Sequence, residues 1–205
     1  MRRLRRYASL ATLLAASLAG LAAPTRAVER SAAELMDALM WNREPVGGPF
    51  SLTDHTGQTR TDADFRGRFV LIYFGFTYCP DICPTDLQAM AQAVDQLGPA
   101  GELVQPLFIS VDPERDTAEH LAQYVPSFHP RLIGLTGDTE AIRQAADAYK
   151  VYYAKVPRPG SSEFTIEHTG FVYLVGPDGR YRGFFPPGTS AERLVHVLKQ
   201  HLPRP

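Results

Sequence analysis

Two cysteines, the only ones in 205 residues, stand at positions 79 and 83 in the run Tyr73-Phe74-Gly75-Phe76-Thr77-Tyr78-Cys79-Pro80-Asp81-Ile82-Cys83-Pro84. The segment before them reads as a strand and the segment after them as a helix, so the pair falls at a strand-to-helix junction. Side chains four apart on a helix share a face. The backbone N–H groups and positive dipole end of a helix N-terminus also favour thiolate over thiol. Thiolates are what soft metals and disulfide exchange both require. A disulfide between i and i+4 is sterically allowed, because Cα atoms one helical turn apart lie roughly 6 Å from each other. With no third cysteine in the chain, a metal held here would need a further ligand from elsewhere in the fold, for which histidine is the natural donor.

The elements that must position this pair can be read from periodicity. Residues 68–75 form a nearly unbroken β-branched and aromatic run, the pattern of a central strand covered on both faces. Pro84 suits a first helical turn, where its missing N–H costs nothing. Leu87, Met90, Ala91, Val94 and Leu97 then recur at helical spacing up to Gly98, which puts Cys83 at a helix N-terminus. Asp81, between the thiols, is expected to order the loop through its carboxylate, to tune the cysteines, or simply to cap. Further strands are predicted over 103–111 and 132–135, with a helix opened by Asp116 (Glu119 three residues on) and another over 139–149. Residues 151–156 read as extended, and a polar loop comes next that includes 163–169. A hairpin over 170–175 and 180–185 turns at Pro177-Asp178-Gly179, and Ser190 caps a last helix. Upstream, 31–42 is amphipathic and 44–49 is a Pro/Gly-rich connector. Asp54-His55-Thr56-Gly57 turns a hairpin beginning near Phe50, with His55 read as decoration of the turn.

This order of strands and helices predicts a three-layer α/β domain with a mixed central sheet and an N-terminal β-hairpin. Sites in such sheets lie beyond the carboxyl ends of the strands. Cysteines after the first long strand point to a thioredoxin-like architecture, with three intervening residues where thioredoxins have two. The chain is long enough for one well-buried domain and short for two.

Residues 1–27 are of another kind. Arg2, Arg3, Arg5 and Arg6 precede an apolar Ala/Leu run from about 7 to 23, which reads as an export signal or, uncleaved, as an N-terminal membrane anchor. No cysteine stands directly after it to carry a lipid. Five of the 21 basic residues and none of the 22 acidic ones lie in this leader, so what remains carries a net charge of −6. A mildly acidic domain without a basic face is a poor nucleic-acid binder. Export also places the thiols where disulfides persist.

Three separated segments share a family pattern: 76–84, given above, then Ser110-Val111-Asp112-Pro113-Glu114-Arg115-Asp116-Thr117, then Glu167-His168-Thr169. In this order they resemble the Sco/SenC copper proteins, over about residues 45–200. The resemblance implies a thioredoxin-like domain, placed here at 49–203 after a helix and linker at 28–48. It implies one copper ion, Cu(I) or Cu(II), bound by Cys79, Cys83 and His168, and a role in assembling the dinuclear copper site of cytochrome c oxidase subunit II. Other periplasmic copper or thiol-disulfide proteins are the further partners it suggests, with the protein in the bacterial periplasm, free or tethered to the inner membrane. Two thiolates and an imidazole form a soft, low-coordinate set that suits copper, whereas structural zinc normally takes four ligands. The other histidines, His120, His129, His196 and His201, are read as structural.

Such a protein would be a metallochaperone rather than an enzyme in the strict sense. A second class is a thiol-disulfide oxidoreductase that reduces the subunit II cysteines through the redox pair Cys79 and Cys83. Against it stand the spacing of the pair and the histidine-bearing, proline-free segment 163–169. A peroxidase reading is weaker, since Thr77 stands only two residues before Cys79 and no proline-bearing loop precedes it. A purely structural disulfide would close so small a loop that it adds little stability.

Overall fold

A computed structural model describes residues 31–40, 45–157, 160 and 163–203, so the expected leader over 1–27 lies outside the described residues. The amphipathic segment forms helix α1 (Ala32–Met40). The N-terminal hairpin then forms as expected, with strand β1 (Ser51–Asp54) antiparallel to β2 (Thr59–Thr61). Asp54 closes its turn: one carboxylate oxygen accepts from the Thr56 N–H at 2.8 Å and the Gln58 N–H at 3.0 Å, and the other from Arg60 Nε at 2.7 Å. His55 does more than decorate. Its N–H donates to the Gly134 carbonyl at 2.8 Å and its Nδ1 accepts from the Gly134 N–H at 3.2 Å, which ties the hairpin to the sheet.

The central strand β3 (Phe69–Gly75) is buried along its whole length, as its unbroken apolar run requires. It leads into helix α2 (Ile82–Gln96), which carries Cys83 in its first turn. Strand β4 (Val104–Ser110) returns parallel to β3, followed by helix α3 (Ala118–Tyr124), strand β5 (Ile133–Thr136) parallel to β4, and helix α4 (Thr139–Ala148). Helix α3 starts later than Asp116 implied. Thr117 is its cap, accepting from the His120 N–H at 3.2 Å, while the Asp116 side chain turns inward.

Strands β6 (Tyr153–Pro157) and β7 (Phe164–His168) pair antiparallel as a separate two-stranded sheet. The segment read as a polar loop is therefore a strand, and its alternation of Phe164, Ile166 and His168 with Thr165 and Glu167 is the period-two signal of one. Strands β8 (Val172–Val175) and β9 (Tyr181–Phe185) form the late hairpin, and Ser190 caps helix α5 (Ala191–His201) by accepting from the Arg193 N–H. The main sheet has the order β2-β1-β5-β4-β3-β8-β9, with β3, β4 and β5 parallel and every other pairing antiparallel. The mixed-sheet α/β expectation holds.

Alternation along β3 divides the core. Phe74 packs toward Tyr149 and Tyr173, with ring centroids 5.6 and 6.0 Å away, on the face covered by α4. Tyr73 points the other way, to the face where α2 and α5 pack together. At the end of β3, Gly75 meets this second layer so closely that a Cβ there would lie 2.8 Å from the Tyr73 ring, 3.0 Å from Cys83 Sγ and 3.1 Å from the Phe108 ring. Glycine is thus what lets the Cys83 sulfur sit against the sheet. Both rings are fully buried, so neither can retreat cheaply. Replacing Gly75 with alanine is expected to cost about 1–3 kcal/mol by overpacking, lowering the melting temperature by roughly 2–4 °C per kcal/mol. Differential scanning calorimetry checks this, and an unchanged melting temperature would contradict the packing.

Candidate metal centre

Three chain segments converge beyond the carboxyl end of β3. Cys79 sits in the loop after the strand, half-buried, with its N–H donating to the Phe76 carbonyl at 3.3 Å. Cys83 is fully buried in the first turn of α2. His168 ends β7, paired across that small sheet with Tyr153. It therefore lies at a strand end, not at the start of the following strand, and the β6–β7 hairpin delivers it over the helix N-terminus. The residue after it is also pinned: the Thr169 N–H donates to the Tyr152 carbonyl at 2.9 Å, and its hydroxyl accepts from the Tyr152 N–H at 3.1 Å.

The two sulfurs and a His168 ring nitrogen all lie within 4.8 Å of one another, and among the described residues this is the group of three such ligands found. Cys83 Sγ and His168 Nε2 are 3.3 Å apart. The other ring nitrogen, Nδ1, lies 3.3 Å from the Thr169 carbonyl. A carbonyl can only accept, so Nδ1 carries a proton, and Nε2 is the ring nitrogen turned to the sulfurs, the one a metal would take. Tyr73 and Phe76 meet the imidazole edge-on, with centroids 6.1 and 5.8 Å away and interplanar angles of 87°. The nitrogen is thereby held in one orientation within an apolar wall.

The thiols are unequal. The neighbouring Cys83 thiol holds Cys79 far below the usual thiol range, at about 3, and His168 together with the backbone N–H groups of Asp81 and Cys83 adds to the effect. The same interaction and its burial push Cys83 up. One proton is thus shared by the pair, with Cys79 as the half-exposed thiolate and Cys83 as the buried thiol. Asp81 contributes through its backbone: its side chain makes no cap bond, and its carbonyl accepts from the Thr85 hydroxyl at 2.9 Å.

Several residues around the site escaped the reading of the sequence. Asp86 is buried one turn beyond Cys83; one of its oxygens accepts from the Gly188 N–H at 2.8 Å, and burial raises its pKa. The signal was present, since an aspartate at 86 falls on the apolar face made by Cys83, Leu87 and Met90. Asp116 and His120 also bear on the cysteine loop, whereas His129, His196 and His201 lie elsewhere, His129 beside Asp95 and His196 beside Gln200.

A family model, SCO1/SenC, matches residues 40–203. The chain belongs to the SCO1/SenC family. Over 159 residues it is 51% identical to the human mitochondrial SCO1 homolog, a match covering 77% of this chain and 53% of that protein, so the chain spans about half the length of that relative. The solved structure of Arabidopsis thaliana ScoI with copper bound is similar at a TM-score of 0.72, with 40% identity over 76% of this chain and 97% of that one. Bradyrhizobium japonicum ScoI, also solved with copper bound, is similar at a TM-score of 0.71, with 41% identity over 77% and 99% of the two chains. The SCO1/SenC fold of this chain is thus thioredoxin-like, as the strand order and the placement of the cysteines led one to expect. Among the described residues no helix is long and apolar enough to cross a membrane.

The asymmetry of the pair predicts its reactivity. Because Cys79 is already a thiolate, its alkylation by iodoacetamide in the reduced, metal-free protein should be nearly independent of pH between 5 and 8. The rate at an ordinary thiol falls about tenfold per unit over that range as thiolate is lost. Peptide mass spectrometry should find the label on Cys79 and not on Cys83. A tenfold fall per unit at Cys79 would contradict the shared-proton arrangement.

Proposed function

We propose that this SCO1/SenC protein binds one copper ion through Cys79, Cys83 and His168 and serves copper-site assembly in cytochrome c oxidase, with subunit II as its client. The single observation that carries the reading is the convergence of two sulfurs and an imidazole nitrogen within 4.8 Å. That set is soft and three-coordinate, which matches Cu(I), and the imidazole adds a donor that Cu(II) accepts. The half-exposed Cys79 thiolate gives an incoming ion, or a partner's thiolates, a point of first contact. Buried Cys83 and half-buried His168 complete the site behind it. Three ligands with one open side favour transfer over permanent storage. The domain that does this is taken to be 49–203, following a signal or anchor at 1–27, with the protein exported to the periplasm.

A second reading rests on the inequality of the thiols. A half-exposed, low-pKa Cys79 can attack a client disulfide, expelling one client thiolate and forming a mixed disulfide. Cys83 then displaces the second client thiolate and leaves a Cys79–Cys83 disulfide. Reduction of the subunit II cysteines would prepare them for copper, so the two readings can describe successive steps on one client.

An anaerobic Cu(I) titration against a competing chelator tests the metal reading. Wild type should take one tight equivalent, His168→Ala should weaken it at least tenfold, and Cys79→Ser or Cys83→Ser should abolish competitive binding. Because Cys79 enters as a thiolate and only Cys83 must give up its proton, affinity should rise by about one log unit per pH unit between pH 7 and 9. Unchanged affinity in His168→Ala removes the third ligand, and no competition in the wild type leaves the reductase reading. For the client, deletion in cells at limiting copper should lower the copper content of oxidase subunit II.

A further inference from the structure

Asp116 is fully buried, and its carboxylate joins the strand-to-helix junction at Thr77 to the end of β4 at Ser110. One oxygen accepts from the Thr77 hydroxyl at 2.6 Å; the other accepts from the Thr77 N–H at 3.0 Å and from the Ser110 hydroxyl at 2.6 Å. Its own N–H donates to the Asp112 carbonyl at 2.9 Å, so the carboxylate is anchored at the end of β4. His120, from the first turn of α3, places Nε2 2.9 Å from the Thr77 oxygen. The Thr77 proton is committed to the carboxylate, so the imidazole is the donor in that contact. The His120 ring also stacks on Tyr78, with centroids 5.6 Å apart and an interplanar angle of 9°. On the same tyrosine ring lies the Arg115 guanidinium, 4.8 Å from its centroid, itself bonded to Asp112. Both residues immediately before Cys79 are thus gripped by the segment 110–120, a grip that the copper ligands do not need for their own coordination.

The two sulfurs are therefore held by separate anchors: Cys83 by the helix, Cys79 by this clamp. They lie within 4.8 Å of each other and are not joined by a disulfide. A disulfide requires about 2.05 Å. Cys83 sits fully buried in a helical turn close to Gly75, so whatever movement bonding requires falls on the Cys79 side.

The geometry points to Asp116, acting through Thr77 and His120, as a positioning group that holds Cys79 at chelating distance from Cys83 and opposes closure of the pair into a disulfide. Closure by a disulfide oxidant removes two electrons and the pair's single proton, and the oxidant, taking these with a second proton from solvent, leaves as two thiols. The clamp resists this step by the hydrogen bonds that must stretch when Thr77 moves with Cys79. Asparagine at 116 disrupts it in either orientation. An NH2 in place of the oxygen facing the Thr77 N–H sets donor against donor, and in place of the other it reverses the Thr77 hydroxyl.

The inference deepens the copper reading of the same site, and its redox arm stands without copper. The test uses the full chain as wild type, Asp116→Asn, Thr77→Val and Thr77→Ser. Each is equilibrated metal-free with the reduced and oxidised dithiothreitol couple, titrated with Cu(I) under chelator competition, and melted. Asp116→Asn and Thr77→Val should shift the equilibrium toward the disulfide by about tenfold, which is roughly 30 mV, and weaken Cu(I) binding at least tenfold. Thr77→Ser, which keeps the hydroxyl, should restore both. Should Asp116→Asn not fold, the Thr77→Val and Thr77→Ser pair decides the matter alone. Values within twofold of wild type, or a shift toward the dithiol, would overturn the proposal even if the melting temperature falls, since Asp116 would then be structural only. A wild type that takes no Cu(I) defeats the metal reading, while the dithiothreitol equilibrium still decides the clamp.

Discussion

Holding two sulfurs and an imidazole nitrogen within 4.8 Å of one another is the constraint on which the rest of this structure depends. The donors come from a loop, a helix and a strand, and the Cys83–His168 contact joins positions 85 residues apart. No local preference can bring them together, so each backbone segment needs its own fixing point. For Cys83 that point is the close approach of α2 to Gly75. The β6–β7 hairpin, closed by the reciprocal bonds of Tyr152 and Thr169, fixes His168. Cys79 depends on Thr77 and Tyr78, held in turn by Asp116, His120 and Arg115.

Electrostatics derive from that geometry. A thiol buried beside a half-exposed one cannot ionise independently, so the pair keeps a single proton and places the negative charge on the atom nearer water and nearer the N–H groups of the α2 N-terminus. Edge-on contacts from Tyr73 and Phe76 keep the imidazole in an apolar wall, while its far nitrogen is satisfied by the Thr169 carbonyl. One arrangement therefore supplies a soft chelate and a nucleophile with its resolving partner. That is the physical reason metal chelation and thiol exchange would draw on the same atoms.

Much of the scaffold was legible because its signals are local. An unbroken apolar run marked β3, Pro84 and the helical spacing after it marked α2, and Ser190 capped α5 as expected. Misreadings arose where a side chain was claimed by a distant partner. Asp116 has the spacing of a cap with Glu119, but Thr77 and Ser110 take its oxygens and Thr117 caps α3 instead. His55 fits a turn, but Gly134 recruits it into the sheet. Segment 163–169 looked polar because Thr165 and Glu167 face outward in a small two-stranded sheet, although Phe164, Ile166 and His168 alternate as a strand does.

The sequence by itself determined the chemistry available: two soft thiols at a strand-to-helix junction, a histidine in a matching motif, and an order of elements that leads to a thioredoxin-like domain. Residue types and short-range spacing are enough for that, since they depend on periodicities of two and 3.6 residues. Only the tertiary structure decided which thiol carries the charge, which ring nitrogen faces the sulfurs, and what holds the Cys79 loop. Those outcomes depend on burial and on hydrogen bonds between residues up to 85 positions apart, and neither can be read until the chain is folded.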